Sequence, residues 1–480
     1  MELSFSSLAY LIFFGVCVLA LSSIRSVPVQ RGLLIIFSGL FYASFGIPGV
    51  IAVSLIGLAD YHVARRLASS LRPVARKWWL WAGIVVNLGP LAFIKYTAFL
   101  TGIVASSLHP LGVRLPIAGD PTLRIIGLSY ITFSGMSYIL DVYYDTIAPT
   151  QSLSGFITYV LYFPKLVAGP IVRVNDLLPQ LEQHLRFTSG DFETGCAYFL
   201  TGAVKKLVIA DQLAPHVSMI LASPQHYNAF TLAQGMIGYT VQIYADFSGY
   251  SDMAIGCARI MGIRLPQNFL MPYSSVNIAE FWRRWHVTMS AWFRDYLFLP
   301  LEMGSRGMGS PAVRGARNML ITMLLCGLWH GASWNFVLWG GLHGMALAVY
   351  QQYSRKTSHQ PRQHTRWIFH PYTLAARGLT LSVVMVSWIF FGTPTLGAAS
   401  TFLWRLFTWA GDGISLGSSY ILPLALLVFV VHLFIHKDRN LIEELPTLSM
   451  PARVLTYACL LLAITTLVPS EAVPFVYVHF

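Results

Sequence analysis

Charge is what this sequence has least of. Only 11% of its 480 residues are Asp, Glu, Lys or Arg, whereas an average soluble domain is about a quarter charged. Whole runs carry none, at positions 7–24, 32–59, 78–94, 125–140, 146–164, 318–353, 379–404, 413–436 and 454–470. That excludes an ordinary soluble enzyme. The runs are continuously apolar rather than alternating, which also excludes a closed membrane β-barrel. Cysteine is sparse too: Cys17, Cys196, Cys257, Cys326 and Cys459 stand singly, in no CxxC pair or zinc spacing. They predict small buried apolar groups, with neither disulfide nor metal. The sequence holds no HExxH. GSRGMGS, at 304–310, lacks the order that cradles a phosphate and reads as a flexible loop. Residues 1–24 lack a basic leader region and a small-residue cleavage site, so they read as a retained helix.

What remains is a membrane protein, with a mean hydropathy of +0.59. A bilayer core takes roughly 20 apolar residues per helix. With 196–221, 234–261 and 96–113 added, the runs predict roughly 10–13 spans. The 32–59 and 318–353 runs are each long enough for two short or broken helices. The expected fold is an all-α polytopic integral membrane protein. Its polar stretches, 60–77, 302–317, 356–366 and 437–446, are linkers rather than a soluble domain. Net charge is +12, with cations gathered between runs: Arg25 and Arg31, then Arg65, Arg66, Arg72, Arg76 and Lys77. The positive-inside rule puts both loops in the cytoplasm, the N-terminus outside, and an even number of crossings or a re-entrant dip in 32–59. No aromatic-basic module accompanies this charge, so it reads as topology and anionic lipid, not nucleic acid.

Polarity is uneven along the chain. The ends read as lipid-soluble helices, while 162–344 packs charges and aromatics into apolar surroundings. Ionisable groups at membrane depth are costly and mark pathways or sites. YFPKLVAGPIVRVNDLLPQL (162–181) is interrupted by Pro164 and Gly169-Pro170, with Lys165 and Arg173 on either side. It predicts broken backbone lining a cavity, or a hairpin with two interface-anchoring cations. In TVQIYADFSGYSDMAIGCARIMGIRLPQNF (240–269), Gln242, Asp246 and Gly249 share a helix face with Tyr239. Asp246 needs a cation, from Lys205, Lys206, Arg283 or Arg284, in a structural ion pair or a functional cavity. NIAEFWRRWHVTMSAWFRDYLFLPL (277–301) predicts an interfacial or cavity-lining helix, with Trp282, His286 and Ser290 on one face and Ser274 or Ser275 as caps. NMLITMLLCGLWHGASWNFVLWGGLHG (318–344) is charge-free, yet holds His330 beside small residues between Trp329 and Trp334, with His343 as a second candidate. A neutral imidazole in a tight apolar pocket is a natural general base; a histidine bonding across helices is the structural alternative.

In order, YFPKLVAGPIVR, YADFSGYSDMAIGCARIMGIRLPQNF, PYSSVNIAEFWRRWHVTMSAWFRDYLFLPL and MLLCGLWHGASWNFVLWGGLHG resemble the membrane-bound O-acyltransferase (MBOAT) family. The likeness is to its bacterial branch, which serves alginate O-acetylation and teichoic-acid D-alanylation, and it is carried by 162–344 and the terminal PFVYVHF. The resemblance implies tilted helices around a thinned centre with a tunnel, a catalytic core over 161–344, and flanking helices over 1–160 and 345–480. It implies that His330 is the general base and His286 the second functional position. Asp246, Ser248, Arg283, Arg284, Trp285, Trp329 and Asn335 are the positions expected to meet substrate or shape the tunnel. The implied reaction moves acetyl from a cytoplasmic donor such as acetyl-CoA, with no bound cofactor, in a bacterial inner membrane. Periplasmic partner proteins would complete transfer to an extracellular or cell-wall polysaccharide. D-alanyl transfer to teichoic acid is the alternative cargo. A transporter, the alternative class, predicts a repeat symmetry that the sequence does not show.

Overall fold

A computed structural model describes residues 3–111, 125–305, 307, 309–357, 370–417, 420–434 and 440–469. PFVYVHF and most of the polar stretch 356–366 lie outside the described residues. Helices build the chain; among the described residues the sole strand-like pairing is an isolated bridge between Tyr227 and Ile414. Among the described residues, four helices are long and apolar enough to cross a bilayer alone: Ile47–Ser69, Pro73–Leu108, Pro371–Gly392 and Met450–Leu467. Shorter apolar helices cover Leu8–Ser22, Val27–Ala43 and Ile421–Phe434. The protein is an all-α, polytopic membrane protein.

Run lengths translate unevenly into helices. The 32–59 run becomes two, Val27–Ala43 and Ile47–Ser69, parted at Gly46 with φ 138°, a backbone that side chains rarely adopt. The 78–94 and 96–113 runs are not separate spans, because one 36-residue helix, Pro73–Leu108, carries through Pro90 and Lys95. At 1.5 Å per residue it is about 54 Å long, more than the hydrocarbon core needs. The expected linker 60–77 shrinks to residues 70–72, because the helix before it continues to Ser69.

The chain forms two compact units that cut across any division in sequence order. One comprises Met1–Phe199, Tyr250–Pro266 and Leu445–Thr447; the other comprises Leu200–Gly249, Gln267–Glu444 and Leu448–Phe480. In the first, the 162–181 stretch is broken as its prolines predict. Short helices Leu153–Leu161, Phe163–Leu166 and Val174–Leu181 surround a non-helical 167–173. Lys165 is not an interface anchor: it is buried, with Nζ 3.6 Å from the centre of the Tyr159 ring.

The second unit is built on a helical hairpin, Pro311–His330 and Trp334–Thr357, which resolves the 318–353 run. Glycine lets its backbones touch. A Cβ on Gly327 would lie 2.1 Å from the Phe336 carbonyl oxygen, and one on Gly340 would lie 2.2 Å from that of Met323. Without those methyls the helices pack by close van der Waals contact, the main attraction available in lipid.

The 277–301 stretch departs from its expected single helix. Ile278–Arg284 stops, Trp285 is extended, His286 turns left-handed with φ 43°, and Val287–Phe293 begins afresh. A π-helical turn, Arg294–Phe298, then leads into Leu299–Gly304. Trp282, His286 and Ser290 therefore do not form one helical face. The cause is a competing backbone partner: the Leu270 N–H donates to Arg284 O and the Val287 N–H to Asn268 O, both at 2.9 Å. Neither Ser274 nor Ser275 caps the first helix. Asn277 does, accepting the Glu280 N–H at 2.8 Å, while Glu280 accepts the Val276 N–H at 3.0 Å.

Candidate active site

His330 is the last residue of its hairpin helix and is 3% exposed. It ends there because Gly331 leaves the helix in an extended conformation, φ −165°, where a Cβ would lie 2.0 Å from the Phe336 ring. Three aromatic rings enclose the imidazole: Trp329 at 4.7 Å, Trp339 at 5.0 Å and Phe391 at 5.2 Å between centroids, all edge-on.

His286 is fully buried, and its neighbours set its tautomer. Asn268 Oδ1 accepts the Thr288 backbone N–H at 3.3 Å and its hydroxyl at 3.0 Å. A backbone N–H is always a donor, so that amide atom is the oxygen. His286 Nδ1 lies 3.0 Å from the same oxygen and must carry the proton, leaving the acceptor lone pair on Nε2. Phe247 packs edge-on against the imidazole at 4.6 Å, and the Trp329 ring lies 6.4 Å from it. One indole thus contacts both candidate histidines.

His343 is different. Its Nδ1 accepts from Trp282 Nε1 at 3.3 Å, and its Nε2 donates to Ser387 Oγ at 2.8 Å, the Ser387 hydroxyl being directed at Val384 O. Both ring nitrogens are committed to the protein, which gives His343 the structural role of bonding across helices.

The other expected residues scatter around this core. Trp285 is buried among Phe269, Phe281, Tyr273 and Trp388, with centroids 5.0–6.0 Å away. Arg284 donates to Ser274 Oγ and pairs with Glu280, pinning the 271–274 turn rather than facing the histidines. Arg283 is exposed on the same short helix. Asn335 donates to Thr393 O at 2.9 Å and ties the start of one helix to the end of another. Ser248 is fully buried, and its Oγ has no hydrogen-bond partner among the described residues.

Asp246 pairs with Lys206, one of the cations expected for it, at 2.6 Å; Asp211 takes the same ammonium at 2.8 Å. Lys206 sits in a π-helical stretch, Val204–Ala210, and all three side chains are buried. Such insertions recur at functional sites.

Sequence reasoning overlooked Asn268, Asp211, Trp339 and Phe391. Asn268 lies in the quoted LPQNF but 18 residues before His286, a spacing to which no helical period connects it. Trp339 was visible in the WNFVLWGG run as one tryptophan among several.

The sequence profile of the membrane-bound O-acyltransferase family matches residues 118–391, a span containing every residue just described except Thr393. The chain belongs to the membrane-bound O-acyltransferase family. Among relatives of this O-acyltransferase is a probable alginate O-acetylase of Azotobacter vinelandii. It is 36% identical over 406 residues, covering 84% of this chain and 77% of that protein. A peptidoglycan O-acetyltransferase of Helicobacter pylori is 32% identical, over 78% of this chain and 73% of its own. A teichoic acid D-alanyltransferase of Bacillus subtilis is 26% identical, over 81% of this O-acyltransferase and 98% of its own length.

Proposed function

We propose that this O-acyltransferase moves acetyl groups from a cytoplasmic thioester, acetyl-CoA or an equivalent, across the bacterial inner membrane for O-acetylation of an envelope or extracellular polysaccharide. Alginate-like polymer, cellulose and peptidoglycan are the candidate acceptors. His330 is the general base. Its imidazole takes the proton from an incoming hydroxyl as the oxygen attacks the acyl carbonyl. The tetrahedral intermediate collapses, the carbon–sulfur bond breaks, and the imidazolium returns its proton to the departing thiolate. General-base assistance of this kind is worth roughly 10²–10⁴ in rate. His286, with its lone pair on Nε2, orients the hydroxyl by accepting its hydrogen bond. Trp329, Trp339 and Phe391 keep water from the thioester. The reaction needs no resident cofactor, and separate periplasmic proteins carry the acetyl group onward.

The observation that carries this reading is the pair of buried histidines touching one indole, one at the end of a glycine-tightened hairpin and one with its proton fixed. The acetyl cargo rests on the two O-acetylating relatives, which are more similar to this chain than the D-alanylating one. The test is ester-linked acetate on the host's extracellular polymer and peptidoglycan. It compares wild type, a deletion, and the deletion carrying wild-type or His330→Ala protein at equal membrane levels. Acetate should vanish from one polymer in the deletion, return with wild type and stay absent with His330→Ala. Full restoration by His330→Ala would overturn the mechanism, and loss of ester-linked D-alanine instead of acetate would change the cargo.

A further inference from the structure

At the basic end of the hairpin, some 20 residues from His330, lies a cavity of about 390 Å³. Ala279, Met319 and Leu347 wall it at one end; Tyr350, Gln351, Ser354 and Arg355 continue it along the second helix. From Leu347 to Arg355 is eight residues, about 12 Å of helix. Polarity rises in one direction along that distance, from apolar side chains through phenol and amide to hydroxyl and guanidinium.

The surrounding charge is mainly positive, with Glu302 within electrostatic reach of both Arg314 and Arg355. Arg314 and Arg317 from the first helix and Arg355 and Lys356 from the second share this end of the hairpin. Arg317 is directed at the neutral Asn318 Oδ1, at 3.1 Å. Glu302 is the acid among them and is bonded to Arg314 at 3.0 Å and Asn318 at 2.8 Å. Glu280, next to Ala279, is paired with Arg284. A basic end of a membrane hairpin belongs at the cytoplasmic face, where the leaflet itself is anionic and basic pockets between helices take anionic headgroups.

We propose that this cavity binds an anionic phospholipid, its phosphate on Arg355, its glycerol esters beside Ser354 and Gln351, and one acyl chain against Met319 and Leu347. A free phosphate would leave the apolar wall empty, and a zwitterionic lipid would gain less from the arginines. The site is separate from the acyl-transfer reading and is tested without activity.

The full-length protein, purified in a neutral maltoside detergent, is titrated with phosphatidylglycerol, phosphatidylcholine of the same chains, inorganic phosphate or acetyl-CoA. Thermal unfolding and native mass spectrometry are the readouts. Phosphatidylglycerol should raise the unfolding midpoint saturably and remain bound, and the other three should not. Arg355→Gln should weaken the apparent affinity for phosphatidylglycerol about fivefold relative to its own lipid-free state, the effect of one basic contact. Leu347→Trp, which fills the apolar wall, should abolish the response. If that variant fails to fold, the exposed Arg355→Gln still decides. Equal responses to the two lipids, an unchanged response in Arg355→Gln, or the same stabilisation by phosphate or acetyl-CoA would each overturn the proposal.

Discussion

His286 occupies a backbone conformation that a side chain of its size seldom takes. Holding a non-glycine residue left-handed costs about 1–3 kcal/mol, and it persists only where the surroundings over-determine it. Here Asn268 does so twice, through its backbone carbonyl to Val287 and through its side chain to the imidazole and Thr288. The two contributions separate by substitution. His286→Asn should keep the fold, since asparagine tolerates this conformation, and lose about 10²–10³-fold in acetyl transfer, the size of one transition-state hydrogen bond. Membrane yield and unfolding midpoint check the first half, and initial rates the second. Asn268→Leu removes the acceptor facing Nδ1, whereas Asn268→Asp keeps one. Transfer should fall about 10–100-fold in the leucine variant, as when an orienting partner is lost elsewhere, and clearly less in the aspartate variant. Equal losses would mean that Asn268 acts through packing alone. None of this geometry was legible in the sequence. His286 itself stood out as a histidine among aromatics, but its partner lies across a loop, and only the backbone pairing of 268–270 with 284–287 brings them together.

At the scale of elements, the hairpin shows why a charge-free run can hold a histidine. Gly331 and Ala332, beside His330, read from the sequence as small residues that admit a ligand or helix, and at Gly331 the space belongs to the Phe336 ring. At Gly327 and Gly340 the partner helix backbone lies where a side chain would be, and His330 stands where the pair ends. Gly340→Val should therefore reduce the amount of folded protein rather than its specific activity, measured as monodisperse yield in detergent. The buried Lys206 cluster makes a second case. Lys206→Met leaves Asp211 and Asp246 without their shared ammonium and should destabilise by about 3–5 kcal/mol, whereas adding Asp211→Asn and Asp246→Asn should recover most of the loss. A midpoint that ignores Lys206→Met would show the ion cluster to be dispensable. Outside the membrane, the hydrogen bonds from Arg314 and Asn318 hold the Glu302 carboxyl below the usual carboxylate range. A depressed value in the folded state stabilises above the unfolded value of roughly 4.3 and is lost as pH falls through the folded one. Glu302→Gln should flatten that acid-side loss in unfolding midpoints measured below pH 5.

Across the whole molecule, the sequence was most legible where a single physical constraint rules. Scarce charge and unbroken apolar runs announce a helical membrane protein because lipid tolerates little else. The long motifs of 162–344 announce the O-acyltransferase family. Legibility failed where two segments compete for the same backbone or meet across sequence. The 277–301 stretch has helical spacing but spends four residues on a partner loop. The 78–94 and 96–113 runs look like two spans because Lys95 interrupts them, yet one helix passes straight through. The compact units likewise join segments far apart in the chain, which residue order does not reveal.

The aromatic enclosure of His330 has a spectroscopic consequence. Trp329 and Trp339 lie within contact distance of its imidazole, and a protonated imidazole quenches indole emission at such range. Of the 13 tryptophans, these two should dim whenever His330 takes up a proton and recover when it gives the proton away. The rings around His330 should therefore report its protonation in rapid-mixing fluorescence, without any label.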